Sequence, residues 1–272
     1  MNMKKVIFLV TIVLLLAAFG VSAFMVGSYL VNGQKQEERN DELAQMVEDA
    51  RNDAVKATEA VPETTVPTIA EETVATEATE PQILSPYESL YQQNNDMVGW
   101  LQIPNTKLKY AVMQTPDDSD YYLDHNFDKQ KSDWGAIFAW GAADINKPSD
   151  NITLFGHNMK DGSMFATLNN YVHEYYWEDN SIIIFDTLYE YHTYKIFAVF
   201  KTNATLGEGF AYHQFVDAEN EEEFNEFVAT CKELAEYDTG ITPKYGDKLI
   251  SLSTCAYHEA NGRLVVCAYR IT

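Results

Sequence analysis

The sequence predicts a mainly β domain with a few helices, built on a closed or nearly closed antiparallel sheet of eight strands. Three observations lead to this prediction. Eight short runs rich in β-branched and aromatic residues follow one another between residues 99 and 269. Turn-forming stretches such as NKPSDN, KDGS and PKYGD separate several of them. All four Trp residues lie beyond residue 84, whereas the part before it is first apolar and then acidic.

The first element is an uncharged run over residues 6–31, which is enough helix to cross a hydrocarbon core of about 30 Å. Lys4 and Lys5 precede it, so the positive-inside rule places residues 1–5 in the cytoplasm and the rest outside the cell. The sequence Val-Ser-Ala ending at Ala23 would also suit a signal-peptide cleavage site. Because the uncharged run continues past it, we favour a single-pass anchor. Either interpretation exports the domain.

Residues 32–84 are predicted to form an acidic extracellular linker rich in Thr, Glu and Pro. They carry thirteen Asp and Glu against four Lys and Arg, and no aromatic residue. Such a segment buries too little apolar area to offset its ordering entropy, so residues 58–81 at least should be a disordered, self-repelling spacer. Before this spacer, apolar residues at helical spacing predict a short juxtamembrane helix: Leu43, Met46, Val47, Ala50 and Ala54.

Residues 85–272 form the predicted globular domain. Its candidate strands are, in order, GWLQI, YAVMQ, GAIFAW, NITLFG, SIIIFD, EYHTYKIFAVFKT, DKLISLST and RLVVCAY. Two helices interrupt them: SPYESLYQQNND begins with Ser and Pro, and DAENEEEFNEFVATCKELAEYD begins with acidic residues that suit the helix dipole. The run Glu221, Glu222 and Glu223 is therefore interpreted as a helix start and not as a metal site.

The net charge and the motifs of the chain argue against several classes of function. A net charge of −22 argues against a nucleic-acid partner, which requires a basic face against the phosphates. The six histidines show no metal-ligand spacing, and no glycine-rich phosphate loop is present in the sequence. We therefore expect neither a metal nor a cofactor.

Three cysteines in an exported chain cannot all pair internally. Cys231 shares a helical stripe with Phe224, Phe227, Val228, Leu234 and Ala235, and Cys267 alternates with Val265 and Tyr269 on one face of a strand. Both are interpreted as small buried hydrophobic residues. Cys255 differs because it lies at the boundary between a strand and a loop.

If the last two strands pair as a hairpin, Cys255 and Arg263 become neighbours at one end of the sheet. This pairing has a chemical use, since a thiolate attacks a carbonyl and a guanidinium can hydrogen-bond the oxyanion that forms. A thiol has an ordinary pKa of about 8.5, so a nearby base or cation would help. Taken alone, the hairpin is more typical of a core cysteine and a surface arginine.

Two histidines are candidates for the base. His157 follows NITLFG at a strand end, with Gly156 before it and a polar turn after it. His258 lies three residues beyond Cys255, and local sequence excludes neither. The remaining four are interpreted as surface or satisfied structural residues: His125, His173, His192 and His213.

A family resemblance distinguishes these interpretations. TLFGHNMKDGSMFATLNNY, LSTC and GRLVV occur in this order behind the apolar segment, and they resemble class B sortases, cysteine transpeptidases of Gram-positive cell surfaces. NNDMVGWLQIPNTKLKYAVMQTPDDSDYYLDHNF, WGAIF and YDTGI add to the similarity, which covers residues 87–272. The resemblance implies an eight-stranded sortase-type β-barrel with an N-terminal helix and a long late helix near residues 218–237.

The resemblance also implies roles. Cys255 would be the nucleophile, His157 the acid and base, and Arg263 the group that binds the oxyanion and substrate, with Ser253 lining the substrate groove. The implied reaction cleaves a C-terminal sorting motif after Thr through a thioacyl enzyme and needs no metal. The segment AWGAADINKPSDN departs from the family pattern, and Ala256 occupies a position that varies, so the preferred motif stays open.

The partners implied are surface proteins that bear sorting motifs, and a peptidoglycan precursor or another amine such as a pilin lysine. The enzyme would sit in the cell membrane through its N-terminal helix. Two alternatives remain: an exported cysteine peptidase that uses water as the acceptor, and an inactive sortase-like surface binding module. Product analysis distinguishes the first, and substitution of the three catalytic candidates distinguishes the second.

Overall fold

The computed structural model describes residues 3–59, 81–205, 207–256 and 260–272. Within these residues, eight strands close into one barrel in the order β1-β2-β3-β4-β7-β8-β6-β5, with β5 paired to β1. The strands are β1 Met97–Gln102, β2 Lys109–Met113, β3 Ile137–Ala139, β4 Asn151–Phe155, β5 Ile182–Thr187, β6 Thr193–Asn203, β7 Leu249–Cys255 and β8 Gly262–Arg270. The helices are α1 Met3–Glu59, α2 Ser85–Gln93, α3 Glu174–Asp179 and α4 Glu221–Glu233.

All eight predicted strands are confirmed, but the sheet is not antiparallel throughout. β2 pairs with β3 in parallel, and so does β4 with β7. Parallel neighbours need a long crossover, which residues 114–136 and 156–248 provide. Strand composition does not encode direction, so the prediction of an antiparallel sheet was wrong at these two pairs. The one-and-a-half-turn helix α3 was not predicted either, because it is too short to show a helical period.

Helix α1 contains the apolar N-terminal run. By length and composition it could cross a membrane, although a signal sequence would pass the same test. Residues 1–41 form one compact unit, and residues 42–272 form another. Most of the spacer predicted for residues 58–81 lies outside the described residues.

The last turns of α1 belong to the unit that contains the barrel. The helix predicted around residues 43–54 is confirmed as part of α1, and Leu43 and Val47 are buried in one apolar cluster with Tyr87, Leu90 and Trp100. The apolar stripe in the sequence is thus a packing face. Part of the segment that the sequence suggests is a linker therefore contributes to the core of the domain.

Arg51 on α1 fixes this contact by reaching the buried carboxylate of Asp186 on β5. Its Nη2 lies 2.7 Å from Asp186 Oδ2 and 2.6 Å from the Tyr87 hydroxyl, which also donates to Asp186. Burial raises the pKa of Asp186, while Tyr87 and Arg51 act in the opposite direction by stabilising the charged form. Without Arg51, a carboxylate that is 1% exposed would lose its cation.

We expect Arg51→Ala to lower the free energy of unfolding by about 2 kcal/mol, because it leaves a buried charged acceptor with fewer partners. Urea denaturation followed by circular dichroism measures this loss. Lys56→Ala is the matched control on the same helix, since the Lys56–Asp53 pair is exposed on both sides and such pairs contribute at most about 1 kcal/mol. Equal effects of the two substitutions would contradict the assigned role of Arg51.

Helix α4 covers the outer face of the barrel. Asn220 caps it by accepting from the Glu223 amide at 3.1 Å, and the acidic first turn suits the dipole, which confirms the helix-start interpretation of that run. Its apolar face packs on β6 and β8 through Phe224, Phe227, Val228 and Cys231. Leu234, predicted to belong to this stripe, is 41% exposed because α4 ends at Glu233.

Candidate active site

The β7–β8 hairpin brings Cys255 and Arg263 together, as predicted. Seven consecutive residue pairs run from Leu249↔Tyr269 to Cys255↔Arg263, and the Ala256 amide continues the ladder to the Gly262 carbonyl at 2.9 Å. Directly opposed residues in an antiparallel pair project from the same face. The thiol and the guanidinium therefore lie side by side on the last pair of the ladder.

A row of paired residues leads across four neighbouring strands to this point. Phe138 on β3 pairs with Phe155 on β4, Phe155 pairs with Ser253 on β7, and Ser253 pairs with Val265 on β8. Because side chains alternate along a strand, Cys255 projects from the same face as Ser253, one step further on. The nucleophile candidate thus stands at the end of a groove whose floor is set by strand register.

His157 enters the site from the loop after β4. This loop closes on itself through the Phe165 amide and the His157 carbonyl at 2.9 Å, and Asp161 holds it by accepting from Ser163 and from the Trp134 indole at 2.9 Å. Gly156 is required before it, because a Cβ at this position would lie 2.8 Å from the Phe165 ring. The sequence HNMKDGS is therefore a rigid turn.

The Leu123 carbonyl selects the tautomer of His157. His157 Nε2 lies 2.7 Å from the Leu123 oxygen. A carbonyl oxygen only accepts, so Nε2 carries the proton, and Nδ1 is left as the ring nitrogen available for proton transfer. The chain thus supplies from its backbone the orienting partner that a catalytic histidine needs.

Two side-chain hydrogen bonds join the histidine loop to the end of β7. The Asn158 side-chain amide donates to the Cys255 carbonyl at 2.7 Å, and the Thr254 hydroxyl donates to the Gly156 carbonyl at 2.7 Å. These residues lie about a hundred positions apart in the sequence. The bonds therefore tie the loop that carries His157 to the strand that carries Cys255.

Cys255, His157 and Arg263 line one cavity of about 340 Å³. Its remaining walls are mostly apolar or aromatic: Leu123, Phe138, Trp140, Phe155, Gly156, Ala204, Tyr212 and His213, with Asp120, Ser253 and Thr254 as polar members. Cys255 and His157 are each partly exposed. The size and lining suit a short peptide segment whose backbone reaches the thiol.

Arg263 presents its guanidinium to this cavity. Its Nη1 donates to the backbone carbonyls of Gly262 and Asn261 at 3.1 and 3.4 Å. No carboxylate among the described residues forms an ion pair with it. The two backbone contacts hold the guanidinium in place and leave its other N–H groups available to a substrate oxygen. Within the described residues, no acidic side chain neutralises its positive charge.

Ser253 lines the cavity as the sequence suggested, but it is 1% exposed and its hydroxyl lies 2.5 Å from the Tyr212 hydroxyl. Ser253 and Tyr212 therefore present a hydrogen-bonded pair of hydroxyl groups at the cavity wall, and a substrate would contact the pair. Tyr212 was not anticipated from the sequence, because its short 3-10 helix, Tyr212–Gln214, carries no local motif.

His213, interpreted from the sequence as a surface or structural residue, is a structural member of the cavity wall. It lines the cavity and packs edge-on against Trp140, with the ring centroids 5.4 Å apart. Burial, reinforced by the positive charge of Arg263, lowers the pKa of His213 from its ordinary value. Its imidazole is therefore neutral at physiological pH and acts as part of the aromatic wall.

His125, His173 and His192, interpreted as surface or structural residues, do not line the cavity. His125 stacks on Tyr121, His173 stacks on Tyr175, and the buried His192 contacts Glu190 and Arg270. His258, the second candidate for the base, lies outside the described residues.

A protein-family model described as the sortase domain matches residues 101–271, which is more than half of the chain. The chain belongs to the sortase family. The sortase is 30% identical over 184 residues to sortase B of Staphylococcus aureus strain NCTC 8325, a match that spans 67% of this chain and 73% of that protein. It is 31% identical over 186 residues to sortase B of Listeria monocytogenes serovar 1/2a, with the same coverage. It is thus a class B sortase and a cysteine transpeptidase, as the sequence motifs indicated.

Solved structures agree with the fold of this sortase. The structure of sortase B from Bacillus anthracis in complex with AAEK1 is 31% identical and superposes with a TM-score of 0.62, over 70% of this chain and 86% of that one. A Staphylococcus aureus sortase B–substrate complex superposes with a TM-score of 0.72 over 89% and 99% of the two chains. At its 24% identity, this second match concerns the fold alone.

Proposed function

We propose that this sortase is a membrane-anchored transpeptidase in which Cys255 is the nucleophile, His157 the acid and base, and Arg263 the oxyanion-binding residue. The observation that carries the proposal is the terminal Cys255↔Arg263 pair of the β7–β8 ladder, which opens on the same cavity as His157. These three side chains supply the nucleophile, proton carrier and anion stabiliser that acyl transfer requires.

In the first step, the Cys255 thiol passes its proton to His157 Nδ1, and the sulfur attacks the carbonyl carbon of Thr in a sorting motif. The carbonyl electrons move to oxygen, and the Arg263 guanidinium hydrogen-bonds that oxyanion. The C–N bond after Thr then breaks, and the departing amine takes a proton from His157 Nδ1. The product is a thioester between Cys255 and the Thr acyl group.

In the second step, an amine from a peptidoglycan precursor or a pilin lysine attacks the thioester. His157 accepts the amine proton through the same Nδ1, by microscopic reversibility. The tetrahedral oxyanion again faces Arg263, and collapse returns the thiolate of Cys255. The hydrogen bond to the Leu123 carbonyl keeps His157 in one orientation through both steps.

The substrate groove is proposed to run along the Phe138–Phe155–Ser253 row toward Cys255. Trp140 and His213 form its aromatic side, and Ser253 acts in it together with Tyr212. Trp140 belongs to the segment that departs from the family pattern, so motif preference should depend on this wall. The family resemblance points to Asn-Pro-x-Thr or Ser/Pro-Pro-x-Thr motifs as readily as to Leu-Pro-x-Thr-Gly.

The cellular setting is part of the proposal. Residues 6–31 would anchor the enzyme with residues 1–5 in the cytoplasm, and residues 85–272 would act outside the cell. Tethering at the membrane raises the effective concentration of an enzyme and of substrates that arrive at the same surface. Of the acidic residues 32–84, the part around Leu43 and Val47 packs in the unit of the barrel, so only residues 32–41 lie in sequence between the anchor and that unit.

Product analysis tests the transfer step. The full-length chain in detergent is incubated with a panel of fluorescent sorting-motif peptides and triglycine, and products are identified by mass spectrometry. We expect a peptide cleaved after Thr and joined to triglycine. A hydrolysed peptide alone, at every triglycine concentration, would instead favour an exported cysteine peptidase. The absence of any cleavage across the panel would favour a binding module.

A further inference from the structure

Cys231 and Cys267 lie in one apolar cluster beneath helix α4, and neither lines the catalytic cavity. We infer that these two thiols are a disulfide-forming pair that covalently joins α4 to β8 when the chain folds in the presence of a small-molecule disulfide. Neither cysteine takes part in the proposed reaction.

The packing of α4 places the two residues together. Cys231 is 0% exposed and Cys267 is 1% exposed, and both belong to the cluster between α4 and the outer face of β6 and β8. Cys267 pairs with Ala198 on one neighbouring strand and with Ser251 on the other. The Cys267 thiol is a neighbour of Cys231, and burial followed by the effect of this neighbour raises the pKa of Cys231.

The proton positions in this cluster follow from its acceptors. The Asn151 side-chain amide donates to the Phe215 carbonyl at 3.0 Å, so its oxygen accepts from the Ser251 hydroxyl at 2.9 Å. Ser251 has then used its own proton, and the Cys267 thiol, 3.3 Å away, donates to it. Between the two cysteines, the remaining donor is therefore Cys231.

Oxidation of the two thiols would leave no buried donor in this cluster without an acceptor. A disulfide removes the two thiol protons and thus two donors, and each donor disappears together with its hydrogen bond. The Ser251 hydroxyl keeps its own bond to Asn151, so no buried donor is left without an acceptor. The cluster is therefore compatible with both redox states.

The chemistry is thiol–disulfide exchange. One thiolate attacks a sulfur of a small-molecule disulfide, forming a mixed disulfide and releasing one small-molecule thiol. The second thiolate then displaces the other small-molecule thiol and closes an S–S bond of about 2.05 Å. The oxidant is reduced by two electrons, and the two protons of Cys231 and Cys267 pass to the two released thiols.

The geometry of the barrel excludes a disulfide between Cys267 and the nucleophile Cys255. On β7, Cys255 lies four residues beyond Ser251, the residue that pairs with Cys267. Four residues of a strand span about 13 Å, whereas a disulfide needs Cα atoms within about 7 Å. Cys255 is therefore out of reach of Cys267 in the folded barrel, and closure of the buried pair leaves it as a thiol.

Burial also determines when the bond forms. In the folded protein both sulfurs are shielded, and the raised pKa of Cys231 keeps it protonated, which slows exchange. Exchange should therefore occur late in folding, when β7 and β8 are already paired and α4 has not yet packed. Once formed, the bond should be equally protected from reductants.

The test uses full-length Cys255→Ala protein, which has only the two buried cysteines. It is reduced in denaturant and diluted into detergent with either reduced glutathione alone or a mixture of reduced and oxidised glutathione. The monomeric fraction with native circular dichroism is denatured and treated with N-ethylmaleimide, and the adducts are counted by mass spectrometry. This count involves no catalysis, so it is independent of the proposed function.

We expect two adducts after refolding in reduced glutathione, no adducts after refolding in the mixture, and a linked Cys231–Cys267 peptide in the digest. The oxidised protein should melt about 5–10 °C higher, because the bond closes a loop of some 36 residues. Cys231→Ala in the same background is the matched control and should retain one reactive thiol. Two adducts on the folded protein from the oxidising mixture would overturn the inference, as would a disulfide found only between chains or no native fraction at all.

Discussion

Replacing Cys255 by Ala is expected to abolish both cleavage and transfer, with a loss of about 10⁴-fold or more. The proposed route forms a thioester on this sulfur, and removing a covalent nucleophile leaves only binding and oxyanion stabilisation. The measurement is the rate of product formation from a sorting-motif peptide and triglycine. A mass shift of the intact enzyme, which reports the acyl intermediate, should disappear in the same variant.

The buried cysteines provide matched controls for this substitution. Cys231→Ala and Cys267→Ala remove a thiol of the same kind from the cluster beneath α4, outside the cavity. Both variants should retain transfer activity at temperatures where they remain folded. If Cys255→Ala kept more than about a tenth of wild-type activity, another group would have to be the nucleophile.

His157→Ala is expected to lower the rate of transfer by about 10²–10⁴-fold, the usual contribution of a positioned general acid and base. The reason is local: the hydrogen bond to Leu123 leaves His157 Nδ1 as the site for the proton of the leaving and attacking amines. Single-turnover kinetics with a labelled peptide would separate formation of the thioester from its transfer to triglycine, and both steps should slow.

Two other histidines test the assignment. His213→Phe keeps the aromatic wall and should change the apparent KM for peptides much more than the chemical steps. His258→Ala addresses the other candidate near Cys255. Full activity of His157→Ala, together with loss in His258→Ala, would show that the base comes from the β7–β8 connection instead.

Much of the fold could be predicted from the sequence, because its signals are local. The β-rich runs, the capped start of α4 and the hairpin that joins Cys255 to Arg263 each depend on neighbouring residues, and all are confirmed. The parallel pairs β2–β3 and β4–β7 were not predicted, since each depends on the route of a long connection that has no short-range pattern.

The candidate site also contains residues that the sequence indicated and residues that it did not. Its three chemical side chains stood out through residue type and family resemblance, but the walls did not. Leu123, Trp140 and His213 come from three separate segments and meet only in the folded chain. Similarly, Arg51 and Asp186 are 135 residues apart, so their ion pair could not be read from spacing. A buried partner of this kind leaves no periodic signature.

The β7–β8 register has a consequence for how this enzyme can diversify. Because Cys255 and Arg263 face each other at the end of the ladder, their separation depends on strand pairing and not on the length of the connection between them. An insertion within β7 would reverse the facing of every later side chain, including the nucleophile. Residues added between positions 256 and 262 would leave the pair in place. The ladder therefore holds the nucleophile beside the guanidinium whatever the length of that connection.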